Sequence, residues 1–250
     1  MRWNSGLTFR FGAALLAVGG LIGGAAFSQQ PSGAQTSPAA SPSPSLPSRE
    51  LPRRPEFFVM IDPSHGGEDK GAALGGKILE KDLTLALARE LRRELEERGI
   101  PARLVRESDA TLSLERRAEI ANEEHASMYI ALHAGPPGSG VRVYMPLLPS
   151  APAPSGLFLR WESAQAPALG RSKAVAMAVA ADLRKTGMTV STLATPLRPL
   201  NNLVAPAIAV EWTPRAGGSR AGESQKTLNT LASAIAAGLA RARGQIGAHL

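Results

Sequence analysis

Residues Glu56–Gly67 read EFFVMIDPSHGG. The stretch Glu56–Asp62 is a short apolar run closed by Pro63, the pattern of a strand buried on both faces. A histidine and two glycines follow at once. The plain reading of His65 is a surface turn; the sharper one is a metal ligand on the loop after a buried strand. The stretch alone does not separate the two. A few residues on, Glu80–Gly99 reads EKDLTLALARELRRELEERG, with Leu83, Leu87, Leu91 and Leu95 four apart on one face. That spacing predicts an amphipathic helix, and Gly99 stops it.

The same alternation runs outward to the C-terminus. PARLVR (101–106) is a second strand. SLERRAEIANEEH (113–125) is a second helix, with Leu114, Ala118 and Ala121 on one face and Ser113 as its candidate N-cap. SMYIALH (127–133) and GVRVYMPL (140–147) read as strands, SKAVAMAVAADLRKTG (172–187) as a helix, AIAVEW (207–212) as a strand and SQKTLNTLASAIAAGLARAR (224–243) as a last helix. This order predicts the α/β class: a three-layer sandwich with a mostly parallel central sheet flanked by helices.

Upstream the composition changes. MRWNSGLTFR carries Arg2 and Arg10 and no acid, an apolar stretch follows to Phe27, and Ala26 and Ser28 fit a small-residue cleavage site. Residues 1–28 therefore read as a signal peptide, with an uncleaved N-terminal anchor as the alternative. Export to the periplasm or cell envelope is the expectation, and membrane contact is expected only if the segment stays uncleaved. Residues 29–55 hold seven of the chain's 20 prolines and only two sizeable apolar residues, Leu46 and Leu51. They read as a disordered Pro/Ser-rich linker. Residues 56–250 then form one domain of ordinary size.

The chain has no cysteine, which excludes disulfides, thiol nucleophiles and zinc ribbons. Its net charge is +7, which favours anionic partners. On the first helix, however, Arg89, Arg92, Arg93 and Arg98 alternate with Glu90, Glu94, Glu96 and Glu97, a self-paired solvated face. Aromatics make up only 4% of the chain, poor material for base stacking. No nucleic-acid partner is expected.

Ligands of open α/β sheets bind beyond the carboxyl ends of the strands. His65, His133 and Glu211 each sit at such an end, and Glu80 stands at the threshold of the first long helix. Two histidines and a carboxylate suit a catalytic zinc, which takes three protein ligands and leaves one position open. A further carboxylate is then needed to move protons. His65, Glu80 and His133 fit as ligands to one Zn²⁺ per chain, with Glu211 as the base. Each has a plain alternative: a strand-end histidine is often structural, and Glu80 could simply complement the helix dipole. His125 reads as a solvated helix residue and His249 as part of a frayed terminus.

The motifs IDPSHGGEDKGA, LEKDLTLALARELRRELEERG, SLERRAEIAN, ALHA and PAIAVE, in this order and spacing, resemble the zinc-dependent N-acetylmuramoyl-L-alanine amidases of bacterial cell walls. The resemblance implies a phosphorylase/hydrolase-like fold and a peptidoglycan substrate, cut between N-acetylmuramic acid and the L-alanine of the stem peptide. It implies His65, Glu80 and His133 as zinc ligands and Glu211 as the catalytic glutamate. A protein activator is a further candidate partner. The alternatives are a non-catalytic wall-binding regulator, against which the intact ligand set and Glu211 speak, and a zinc peptidase, against which the lack of HExxH speaks.

Three departures from the family pattern stand out. Ser64 replaces the glycine before the first histidine, so the turn is expected to adjust, since serine tolerates positive φ poorly. WTPRAGG (212–218) replaces the usual run after the catalytic glutamate and predicts an altered substrate rim. Residues 149–170, with four prolines, lie where some relatives carry a regulatory helix; here the prolines argue for an irregular loop.

Overall fold

The computed structural model describes residues 57–74, 78–135, 140–148, 161–214 and 221–247, all within the unit Pro52–Leu250. The signal segment and the 29–55 linker lie outside the described residues. A six-stranded sheet forms the middle layer, in the order β2-β1-β3-β6-β4-β5. Its strands are β1 (Val59–Pro63), β2 (Ala102–Leu104), β3 (Met128–Ala134), β4 (Gly140–Pro146), β5 (Val190–Thr195) and β6 (Ala207–Thr213). Strands β2, β1, β3 and β6 are mutually parallel. The β4–β5 pair is parallel within itself and joins β6 antiparallel.

The strands read as near-continuous apolar runs because helices cover both faces. On one face Val59 and Ile61 of β1, Ile130 and Leu132 of β3, and Ile208 and Val210 of β6 pack against three helices. These are α1 (Glu80–Glu96), α3 (Leu169–Arg184) and α4 (Ala221–Gly247). The alternate residues Met60, Tyr129, Ala131 and Ala209 face the other way, towards Ala118 and Ala121 of α2 (Leu114–Glu123) and towards Leu200 and Leu203. The period of two along each strand thus builds two cores from one sheet. Helices α3 and α4 approach closely through small residues: a side chain at Gly238 would come within 2.5 Å of the Val179 Cα.

Every strand and helix expected from the sequence is present, with ends shifted by a few residues. Ser113 caps α2, its hydroxyl accepting from the Arg116 amide at 3.1 Å. On α1, Arg93 pairs with Glu90, Glu94 and Glu97, and Arg98 with Glu94, the self-paired face read from the sequence. Four differences are informative. Leu114 is exposed at the first turn of α2, and the buried place on the inner face goes to Arg117, which meets a buried carboxylate. Strand β5, VSTLAT, lies at the sheet edge half in solvent, so it carries no apolar run for the sequence to betray. Trp212 packs into the helix-covered core; Arg215–Gly218 lie outside the described residues. Of residues 149–170, the described part forms two single 3₁₀ turns, Trp161–Ser163 and Ala166–Ala168, leading into α3.

Candidate metal centre

The carboxyl ends of β1, β3 and β6 lie side by side, and three sequence candidates meet there. His65 follows β1 by two residues. His133 is the penultimate residue of β3, which runs on through Ala134, and Glu80 opens α1. One ligand atom from each of His65, Glu80 and His133 lies within 4.8 Å of the others. The two rings stand edge to face, centroids 5.5 Å apart.

Glu80 Oε1 is the shared point. It lies 3.2 Å from His65 Nε2 and 3.0 Å from His133 Nδ1, and it accepts the Ala134 amide at 3.1 Å. The other oxygen, Oε2, accepts the Ala72 amide at 2.8 Å. Burial pushes this carboxyl's pKa up, but the hydrogen bonds from His133, His65 and the Ala72 and Ala134 amides outweigh it and hold the group well below the usual carboxylate range. The hydrogen bond to Glu80 raises the His65 pKa, with Asp69 adding to it against the opposing effect of burial. The donor set is two imidazoles and an ionised carboxylate converging on one point, with carboxylate and backbone support behind them. That set fits zinc.

Backbone shape brings His65 inward. It has φ 64°, a left-handed conformation that costs a non-glycine residue on the order of 1–3 kcal/mol. The turn adjustment expected at Ser64 falls on the histidine instead. Ser64 keeps the strand pairing, its amide donating to Leu132 O at 3.1 Å, and positive φ begins one residue later. Two buried arginines hold the turn's carbonyls. Arg106 donates to Pro63 O (2.8 Å) and Ser64 O (3.3 Å), and Arg117 to His65 O (2.7 Å). Arg117 also pairs with buried Asp62, whose second oxygen accepts from the Tyr129 hydroxyl. Gly71, at φ 62°, completes the cradle, because a Cβ there would sit 2.7 Å from both Glu80 Oε2 and the His65 ring.

Glu211 lies inside β6, which continues to Thr213, and is the register partner of His133. Its carboxylate rests over the chain just after β3: a Cβ at Gly135 would come within 2.3 Å of Oε1. From β4, the Tyr144 hydroxyl donates to Oε2 at 2.6 Å and Arg142 pairs with Oε1 at 3.2 Å. His125 is exposed after α2, away from this cluster. His249 lies outside the described residues.

Sequence reasoning missed Asp69, Arg106, Arg117, Arg142 and Tyr144 as parts of this site. One signal for Arg117 was available. Asp62 within an apolar strand is a buried charge that requires a counter-ion.

An N-acetylmuramoyl-L-alanine amidase of Neisseria meningitidis, AmiC, is 34% identical over 122 residues, covering 47% of this chain and 29% of that protein. The germination-specific amidase of Bacillus subtilis is 38% identical over 90 residues, 30% of this chain and 38% of that protein. This chain thus spans well under half the length of these curated relatives. Among solved structures, the amidase AmiC2 of Nostoc punctiforme superposes with a TM-score of 0.57 at 27% identity, over 74% of this chain and 96% of that one. The family model described as N-acetylmuramoyl-L-alanine amidase, Amidase_3, matches residues 59–241. Its span takes in every strand and all four candidate residues, and the chain belongs to the N-acetylmuramoyl-L-alanine amidase family.

Proposed function

We propose that this domain is a peptidoglycan hydrolase that cuts the amide between N-acetylmuramic acid and the L-alanine of the stem peptide. One observation carries the reading: in a chain of this family, His65, Glu80 and His133 converge within 4.8 Å at the sheet rim, with Glu211 in register beside His133. His65, Glu80 and His133 would hold one zinc. Bound zinc supplies Lewis acidity, polarising a carbonyl and making water acidic near neutral pH.

The chain's own residues do the rest. Glu211 takes the proton of the attacking water and returns it to the departing L-alanine amine. The Tyr144 hydroxyl and Arg142 fix the direction of that carboxylate. Burial of the Tyr144 phenol, helped by its bond to Glu211, pushes its pKa up to about 12, so it stays a donor at every working pH. Asp69 orients His65 through Nδ1.

The reading extends to place and partners. Residues 1–28 direct export, residues 29–55 tether the domain, and the substrate is the anionic wall polymer of the envelope. A protein activator belongs to the same proposal. Digestion of purified sacculi with and without chelator, with fragments identified by mass, is the test. Release of whole stem peptides bearing a free L-alanine amine, lost with chelator and restored by zinc, is expected. Cleavage within the stem would establish a peptidase, and binding without any release a wall-binding module.

A further inference from the structure

The two histidines turn opposite ring nitrogens towards Glu80. His65 offers Nε2 to Oε1 and sends Nδ1 to Asp69 Oδ2 at 2.8 Å. His133 offers Nδ1 to the same oxygen and sends Nε2 to Ser64 Oγ at 2.9 Å. A neutral imidazole that lends one nitrogen to a metal carries its proton on the other, and the partner of that proton selects the tautomer and the ring angle. Asp69 is an ionised acceptor, so it selects the Nδ1–H form of His65. The nitrogen left over is Nε2, which faces the shared point; with zinc bound it gives up the proton it donates to Glu80, as Nδ1 of His133 does, and lends its lone pair to the metal.

Among the described residues, no carboxylate lies on the far nitrogen of His133. The atom on its far nitrogen is Ser64 Oγ, and the backbone of Ser64 is held from three sides. Its amide donates to Leu132 O on β3. Its carbonyl accepts from Thr84 Oγ1 of α1 at 2.9 Å and from Arg106. The residue is buried at 5% exposure, so water does not readily replace the hydroxyl. One turn therefore carries a ligand, His65, and, one residue before it, the group that faces the second ligand from behind.

We infer that Ser64 is a positioning residue of the metal centre: its Oγ accepts the Nε2 proton of His133 and so makes Nδ1 the ligand atom. The inference rests on the zinc reading proposed above. It assigns opposite ligand atoms to the two histidines, Nε2 on His65 and Nδ1 on His133.

The test uses the full chain with zinc alone as the probe. Zinc affinity is measured by chelator competition for wild type, Ser64→Ala and Ser64→Thr, and ¹⁵N-histidine spectra of the zinc-loaded wild type report which ring nitrogen of His133 is protonated. Loss of an outer-shell partner lowers metal affinity by roughly 10–100-fold. That loss is expected in Ser64→Ala, with affinity near wild type in Ser64→Thr, which keeps the hydroxyl. His133 is expected to be protonated at Nε2. A protonated Nδ1, zinc binding by Ser64→Ala within about twofold of wild type, or equal losses in the alanine and threonine variants would each overturn the assignment. Wild type that binds no zinc would overturn both this inference and the metal reading beneath it. Zinc-binding wild type with an unaffected Ser64→Ala would overturn this one alone.

Discussion

Glu211 stands directly across from His133, the two residues being register partners on parallel β6 and β3. Side chains at paired positions of neighbouring strands leave the same face of the sheet. A carboxylate is thus delivered beside a candidate ligand by strand pairing alone. If Glu211 moves protons, Glu211→Gln should lower kcat by about 10²–10⁴-fold. The amide keeps an oxygen that can accept from Tyr144, and the pair lost with Arg142 is a partly exposed one, worth roughly 0–1 kcal/mol. Zinc content and melting temperature should therefore stay close to wild type. Full activity in this variant, assayed as peptide release from sacculi, would sink the proton-transfer role.

Metal dependence separates the two kinds of histidine. His133→Ala leaves one imidazole and one carboxylate, a set that rarely holds a catalytic zinc. Stoichiometric zinc should be lost from this variant and activity with it. His125→Ala removes an exposed side chain outside the cluster and should change neither. Metal analysis of both purified variants after dialysis decides the matter, and retained zinc in His133→Ala would remove His133 from the ligand set.

Much of the fold was legible because the informative segments are buried on both sides. The runs that became β1, β3 and β6 and the leucine spacing of α1 needed no knowledge of their partners. The positions of three candidates, His65, His133 and Glu211, were legible for a related reason, since a polar residue near the end of an apolar strand lands at the rim. What supports them was not. Arg117 and Asp62 are 55 residues apart in the chain and meet only when α2 lies across β1. Tyr144 and Arg142 reach Glu211 only because β4, although it follows β3, pairs with β6 and runs against it. No local pattern encodes that insertion. The positive φ of His65 was also displaced by one residue from where the Ser64 substitution suggested it, because the pairing of Ser64 with Leu132 outlasts the end of β1.

The buried pair itself carries a prediction. Arg117 and Asp62 are at 3% and 1% exposure. Removing one partner of such a pair strands the other charge and costs about 3–5 kcal/mol. Arg117→Met should lower unfolding stability by that order, measured by urea denaturation. Because Arg117 also holds His65 O, zinc affinity should fall in the same variant. Adding Asp62→Asn should recover part of the stability, since the stranded charge is gone, but not the zinc affinity. Recovery of both would show that Arg117 acts only as a counter-ion.

The last prediction concerns alkaline pH. The chain contains two tyrosines, Tyr129 and Tyr144, so phenol ionisation can be followed residue by residue. Burial raises both, Tyr129 well above its ordinary value and Tyr144 to about 12. Unfolded phenols titrate near 10. Between about pH 10 and 12 the unfolded chain has therefore lost protons that the folded chain keeps. Stability falls with rising pH wherever the unfolded state binds fewer protons. The contribution of Tyr144 is thus fully present below about pH 10 and lost as the pH passes about 12. Ultraviolet titration of the folded wild type should show neither phenol ionising at pH 10, whereas in concentrated urea both should. In Tyr144→Phe the stability difference from wild type should be constant up to about pH 10 and then shrink, because only wild type has this proton to lose. Tyr129 is common to both proteins and cancels in the comparison. A folded-state transition near pH 10 that is present in wild type and absent from Tyr144→Phe would show that the Tyr144 phenol is free of Glu211, and the carboxylate would then lack the donor assigned to it.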